Sequence, residues 1–124
     1  MNEFVSRRFH IVLDAFRVET QKLADQALIE RVIRKLVELC DMKILHGPVL
    51  MEGIPENPGI TAFTIIDFSH IAIHTFTKSG ELCVDIFSCK PFDYSGVQQY
   101  IMEAFGLQET QTKIIRVAHE KEAL

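Results

Sequence analysis

The chain has 124 residues, with 13 Lys+Arg against 17 Asp+Glu, five His, three Cys and 48% hydrophobic content. That fits one domain, 1–124, with a packed core, and excludes disordered or collagen-like chains. A formal net charge of −4 argues against a nucleic-acid binder working by bulk electrostatics. No apolar run approaches the ~18 residues of a membrane span, and residues 1–8 carry no apolar stretch typical of a secretory signal. The composition therefore predicts a cytoplasmic globular domain without nucleic-acid or membrane partners, its cysteines reduced thiols.

Residues 9–16 (FHIVLDAF) read as a first strand. From Asp25 to Cys40 the period changes: Leu28, Ile29, Val32, Ile33, Leu36, Leu39 and Cys40 share one stripe, while Glu30, Arg31, Arg34, Lys35 and Glu38 fall largely on the other side. This is an amphipathic helix with Asp25 as N-cap, its carboxylate available to the unpaired amides of the first turn, and with Cys40 in the core. Met42 to Met51 reads as a strand interrupted at Gly47-Pro48, and Glu52 to Gly59, with two Gly and two Pro, as a loop. Ile60–Ile66, His70–Phe76 and Leu82–Phe87 read as three strands, the last two joined by a turn at Lys78 to Glu81. A second helix spans Ser95 to Phe105, capped by Asp93 or Ser95 and stopped by Gly106, and Thr112 to Val117 is a last strand. The order β-α-β-β-β-β-α-β predicts an α+β fold: a two-layer sandwich with a mainly antiparallel sheet and helices on one face.

The reactive side chains concentrate between residues 67 and 89. His70 and His74 share a strand face by the alternation of side chains, but no third ligand accompanies them. No CxxC or zinc-finger spacing occurs either, so no metal is expected. Cys89 and His74 are the components of a thiol–imidazole pair, although periodicity does not bring them together. There is no P-loop, G-x-G-x-x-G or G-x-S-x-G element. These features alone leave the function open.

Taken together, Gly59-Ile60-Thr61, Ser69-His70-Ile71-Ala72-Ile73-His74-Thr75 and Asp85-Ile86-Phe87-Ser88-Cys89 resemble the prokaryotic S-adenosylmethionine decarboxylase family, which carries Ser-His-x-x-x-His-Thr followed by Asp-x-Phe-x-Cys. The elements also fall in that family's order over nearly the whole chain. The resemblance implies a self-processing decarboxylase of the polyamine pathway, whose serine attacks the carbonyl before it and is converted into a covalent pyruvoyl cofactor. Cleavage would fall between Phe68 and Ser69, giving pieces of 68 and 56 residues. The new keto group would form a Schiff base with the substrate amine and accept electrons as CO₂ leaves. By the same resemblance His74 serves processing, Cys89 protonates the product, and Thr61 stands where the family has an assisting serine.

The chain departs from the pattern in two places. Phe68 stands where the family has Glu, and Phe76-Thr77-Lys78 replaces Trp-Pro-Glu. Lys78 only donates hydrogen bonds, so Glu81 in the neighbouring turn becomes the candidate acceptor for substrate hydroxyls, with Phe76 as a supporting side chain. Ser69 and His74, five apart, point to opposite faces of an unbroken strand. Either the strand begins or bulges near Ser69, or a second subunit completes the site, as in a homodimer. Two alternatives stay open: a pyruvoyl decarboxylase of another small amine substrate, motivated by Lys78, and an unprocessed non-catalytic paralogue that binds an active partner, motivated by Phe68.

Overall fold

The computed structural model describes residues 7–119. Six strands, β1 (Phe9–Ala15), β2 (Ile44–Ile54), β3 (Asn57–Ile66), β4 (Ser69–Phe76), β5 (Glu81–Ser88) and β6 (Thr112–Arg116), form one sheet in the order β2-β3-β4-β5-β1-β6. Every neighbouring pair is antiparallel. The helices are α1 (Thr20–Leu23), α2 (Gln26–Leu39) and α3 (Tyr94–Phe105), with a 3₁₀ turn at Glu109–Gln111. The α+β sandwich expected from the sequence is the fold observed.

Helix α2 forms where its apolar stripe predicts. The Asp25 carboxylate accepts the Leu28 N–H at 3.0 Å, and Leu28, Ile29, Val32, Ile33, Leu36 and Val37 are buried. This face packs on β2, β3 and β4 and against α3. Helix α3 is capped by Asp93, which accepts the Gly96 N–H, rather than by Ser95; it ends at Gly106, whose φ of 64° suits a residue without a Cβ. The sheet meets the helices with Ile11, Leu13, Ile60, Ala62, Ile66, Ile71, Ile73, Val84 and Ile86, all part of one core cluster.

The expected loop at Glu52–Gly59 is corrected. Residues 52–54 continue β2 and 57–59 begin β3, so only Pro55 and Glu56 turn the chain, with Ile54 opposite Asn57. Gly53 is tolerated because β2 is an edge strand whose pairing shifts register between Glu52 and Ile54, Pro55 lies in the turn itself, and Pro58 and Gly59 stand at the start of β3 ahead of its register with β4, which begins at Thr61. The interruption expected at Gly47-Pro48 is likewise a register shift between His46 and Val49 inside a continuous strand. Gly59, at φ 150°, lies so close to β4 that a Cβ there would collide with the Thr75 carbonyl. The short helix α1, which has no apolar period of its own, was not foreseen.

Among the described residues, no helix covers the other face of the sheet. Val49 and Met51 on β2 pair with Phe63 and Thr61 on β3, and Val12 on β1 pairs with Ile115 on β6. Met51 (65% exposed), Ile65 (42%) and Phe63 (40%) stand open there. Among the described residues no helix is long and apolar enough to cross a membrane.

Candidate active site

Asp67 and Phe68 form the turn between β3 and β4, with Ile66 opposite Ser69 as its last rung. The turn is pinned on its first residue: Asp67 N–H donates to the Lys43 carbonyl at 3.0 Å, and its carboxylate accepts the Lys43 N–H at 3.0 Å. The Phe68 ring is 36% exposed, and the Lys90 ammonium lies 5.2 Å from its centroid. The Phe68 carbonyl, which belongs to the peptide expected to break, accepts a hydrogen bond from the Cys89 N–H at 3.0 Å. Ser88 prepares that donor. Its buried hydroxyl accepts the Lys90 N–H at 2.9 Å and donates to the Lys90 carbonyl at 2.8 Å, closing a tight bend around Cys89.

Ser69 itself sits at φ 144°. A residue with a Cβ in this region costs on the order of 1–3 kcal/mol and persists only where its surroundings hold it. Here β3 and β5 hold it from both sides, through the pairs Ser69–Ile66 and Ser69–Ser88. Among the described residues no hydrogen-bond partner occupies the Ser69 hydroxyl. An unpartnered nucleophile, a strained backbone and a donor on the adjacent carbonyl thus meet at one peptide bond. The strand begins at Ser69 and runs on to Phe76 without a bulge.

His74, Thr61, Phe76 and Glu81 gather at the other end of β4. Thr61 and Cys83 flank His74 on β3 and β5, and Thr61 Oγ1 meets His74 Nδ1 at 3.3 Å. Phe76 faces Glu81 in register, and the Glu81 carboxylate accepts the Ser79 hydroxyl at 2.6 Å. Lys78 donates to the Glu56 carbonyl at 3.4 Å. Five residue steps along the strand separate Ser69 from His74, about 16 Å at ~3.3 Å per residue. Within one chain the thiol–imidazole pair of Cys89 and His74 is therefore not formed: exposed Cys89 belongs to the Ser69 end. The cysteine across from His74 is Cys83, whose thiol is pushed up to about 12, chiefly by burial, then by the charge of and hydrogen bond with Asp14 and the charge of Asp85. It stays protonated and is no nucleophile at neutral pH.

A polar cluster on the open face escaped the sequence reading. His10 Nε2 lies 2.6 Å from Asp85 Oδ1 and His70 Nε2 3.7 Å from Asp85 Oδ2, so one carboxylate joins β1, β5 and β4. The His70 ring stacks between Phe63 and Phe87, with centroids 5.4 and 5.6 Å away. His119 meets His10 at 3.1 Å and titrates below its ordinary range, through desolvation and the positive charges of Arg8 and His10. Among the described residues no group of three or more His, Cys, Asp or Glu is arranged to hold a metal ion. The histidine and aspartate motifs were visible in the sequence; that β1 lies beside β5 was not.

Residues 9–117 match the family of S-adenosylmethionine decarboxylase. The chain belongs to that family. It is 30% identical over 108 residues to the S-adenosylmethionine decarboxylase proenzyme of Clostridium botulinum (strain Langeland), covering 86% of this chain and 90% of the relative. The proenzyme of Methanococcus maripaludis (strain C7) is 28% identical over 120 residues, covering 91% and 95%. The crystal structure of the adenosylmethionine decarboxylase from Aquifex aeolicus VF5 superposes with a TM-score of 0.71 over 96% of this chain and 97% of that one, at 20% identity, a likeness of fold. The name proenzyme that both relatives carry implies a decarboxylase that processes itself.

Proposed function

We infer that the protein is a cytoplasmic S-adenosylmethionine decarboxylase that makes its own prosthetic group by cleaving the Phe68–Ser69 bond and supplies aminopropyl groups for polyamine synthesis. The observation that carries this reading is the Ser69 peptide: φ 144°, an unpartnered hydroxyl, and a carbonyl already held by the Cys89 N–H. Attack of the hydroxyl on the Phe68 carbonyl carbon places negative charge on the oxygen that this N–H faces, the arrangement that stabilises a tetrahedral oxyanion. Collapse breaks the C–N bond, the Ser69 nitrogen takes a proton, and an ester remains. Loss of the residue-69 Cα proton expels the Phe68 carboxylate and leaves a dehydroalanine. Its enamine tautomerises to an imine, and water then releases ammonia.

The residues present fit a pyruvoyl group at position 69, since among the described residues the serine that would form it has no competing partner, and its neighbour across the ladder, Ser88, is followed by the exposed Cys89. Such a group supplies a keto carbonyl conjugated to an amide, a sink for the electron pair freed by a departing carboxylate. Cys89 stands beside it as the proton donor to the product carbon. His74 acts as the base of processing, its ring oriented by Thr61. Phe76 and Glu81 support the substrate, the carboxylate as an acceptor for hydroxyls.

Because His74 and Ser69 lie at opposite ends of β4, the reading requires a homodimer. A second copy laid face to face on the open side of the sheet would bring its His74 end to the Ser69 end of the first, twice, by two-fold symmetry. The exposed Phe63, Ile65 and Met51 give that face the apolar surface such a contact needs.

A second reading rests on Lys78, whose ammonium stands near the Phe76 and Glu81 end of the strand and fits a substrate carboxylate better than a sugar hydroxyl. Carbon dioxide release from S-adenosylmethionine and from basic amino acids separates the two. The first reading predicts turnover of S-adenosylmethionine alone; turnover of only the amino acids would replace it with the second.

A further inference from the structure

We propose that Lys90 is a positioning residue for self-cleavage, holding Phe68 so that the bond before Ser69 stays in its reactive geometry. This rests on the self-cleavage reading above. Two contacts converge on one ammonium, and the backbone that carries it is fixed as well. Lys90 Nζ donates to the Asp41 carbonyl at 2.7 Å, just past the C-terminus of α2, where the helix dipole favours a cation. The same nitrogen lies 5.2 Å from the Phe68 ring centroid, within cation–π range. Its own backbone is locked to the buried Ser88 hydroxyl by paired hydrogen bonds.

The Asp41 carboxylate is nearer to irrelevant: it stands 3.7 Å away and is almost fully exposed, so water and salt screen it. The carbonyl therefore fixes the ammonium, and the ammonium fixes the ring. The consequence falls on the peptide that must break. On its C-terminal side Ser69 is held at φ 144° by the ladders of β3 and β5. On its N-terminal side Asp67 is tied to Lys43, and the Phe68 carbonyl to Cys89. The Phe68 side chain is left as the free handle of the turn, and Lys90 holds it. Because an ammonium accepts either a ring face or a carboxylate as its partner, residue 68 can be aromatic or acidic while the clamp persists.

The test follows appearance of the 56-residue piece in freshly synthesised full-length protein, by mass under denaturing conditions, with thermal unfolding of each variant as a control for fold. Lys90→Met keeps the aliphatic stem and removes the charge; it is expected to slow cleavage about three- to tenfold with little change in unfolding temperature, consistent with loss of one partly exposed cation–π contact and looser alignment. Lys90→Arg restores the rate. Phe68→Leu removes the ring that the ammonium holds and is expected to slow cleavage to a similar degree, and adding Lys90→Met to it slows cleavage no further. Equal rates for wild type and Lys90→Met, or failure of Lys90→Arg to rescue, overturn the clamp while leaving self-cleavage intact. A wild-type chain that stays whole overturns the self-cleavage reading and the role of Lys90 with it.

Discussion

At the scale of single residues, the processing peptide is distinguished by conformation more than by identity. A serine in a hairpin is ordinary; a serine at φ 144°, whose preceding carbonyl is held by Cys89 N–H, is not. Ser69→Ala removes the attacking hydroxyl and leaves the turn otherwise unchanged, so the chain is expected to remain uncut. Fragments from this variant in a mass spectrum would assign cleavage to something other than Ser69. The motif made Ser69, His74 and Cys89 visible in the sequence, because fixed spacing along strands survives without knowledge of the fold. Lys90 and the His10–Asp85–His70 bridge were not visible. Both depend on side chains brought together from elements distant in sequence: Lys90 reaches back to Asp41, and Asp85 to His10.

At the scale of elements, the helices were the most legible part of the chain. The α2 stripe and its Asp25 cap are both local patterns; the cap appears as read, and so does the stripe except that Val37, left out of it, is buried while Leu39 is only partly so. The stripe also explains the stability of the layer beneath the site. Leu36 is fully buried in the core shared with the sheet, and Leu36→Ala is expected to destabilise the fold by about 2–5 kcal/mol through lost contacts and a residual cavity. Denaturant unfolding reads this directly, and a loss below about 1 kcal/mol would mean that the α2 face is less tightly packed than the structure has it. The strands at Met42–Met51 and Ile60–Ile66 were legible, but the hairpin ends at 52–54 and 57–59 were not, for a physical reason. The hairpin's Gly and Pro residues are strong loop signals, but Gly53 lies on an edge strand that shifts register, and Pro58 and Gly59 precede the β3–β4 register that begins at Thr61. Here tertiary pairing overrode local preference.

At the scale of the whole molecule, the strand that carries the motif also divides it. The sequence indicated that Ser69 and His74 point apart, and the unbroken register of β4 places them at opposite ends. If two copies share each site, Ser69→Ala and His74→Ala chains should each fail to cleave alone. Produced together, they should form mixed dimers with one complete site, in which the His74→Ala chain is cut. Cleavage of the His74→Ala chain only in the mixture supports the shared site, whereas its absence from demonstrated mixed dimers would place Ser69 and His74 in one chain's mechanism. The open sheet face, bearing exposed Phe63, Ile65 and Met51, is the surface on which such a pairing would form.

Self-cleavage is one covalent event, and the intact mass of the purified protein under denaturing conditions reads it most directly. Two pieces of 68 and 56 residues, the second blocked at its N-terminus by a pyruvoyl group, are the expected result. A single uncut species of 14.2 kDa would contradict it and favour a non-catalytic paralogue that retains the family's fold.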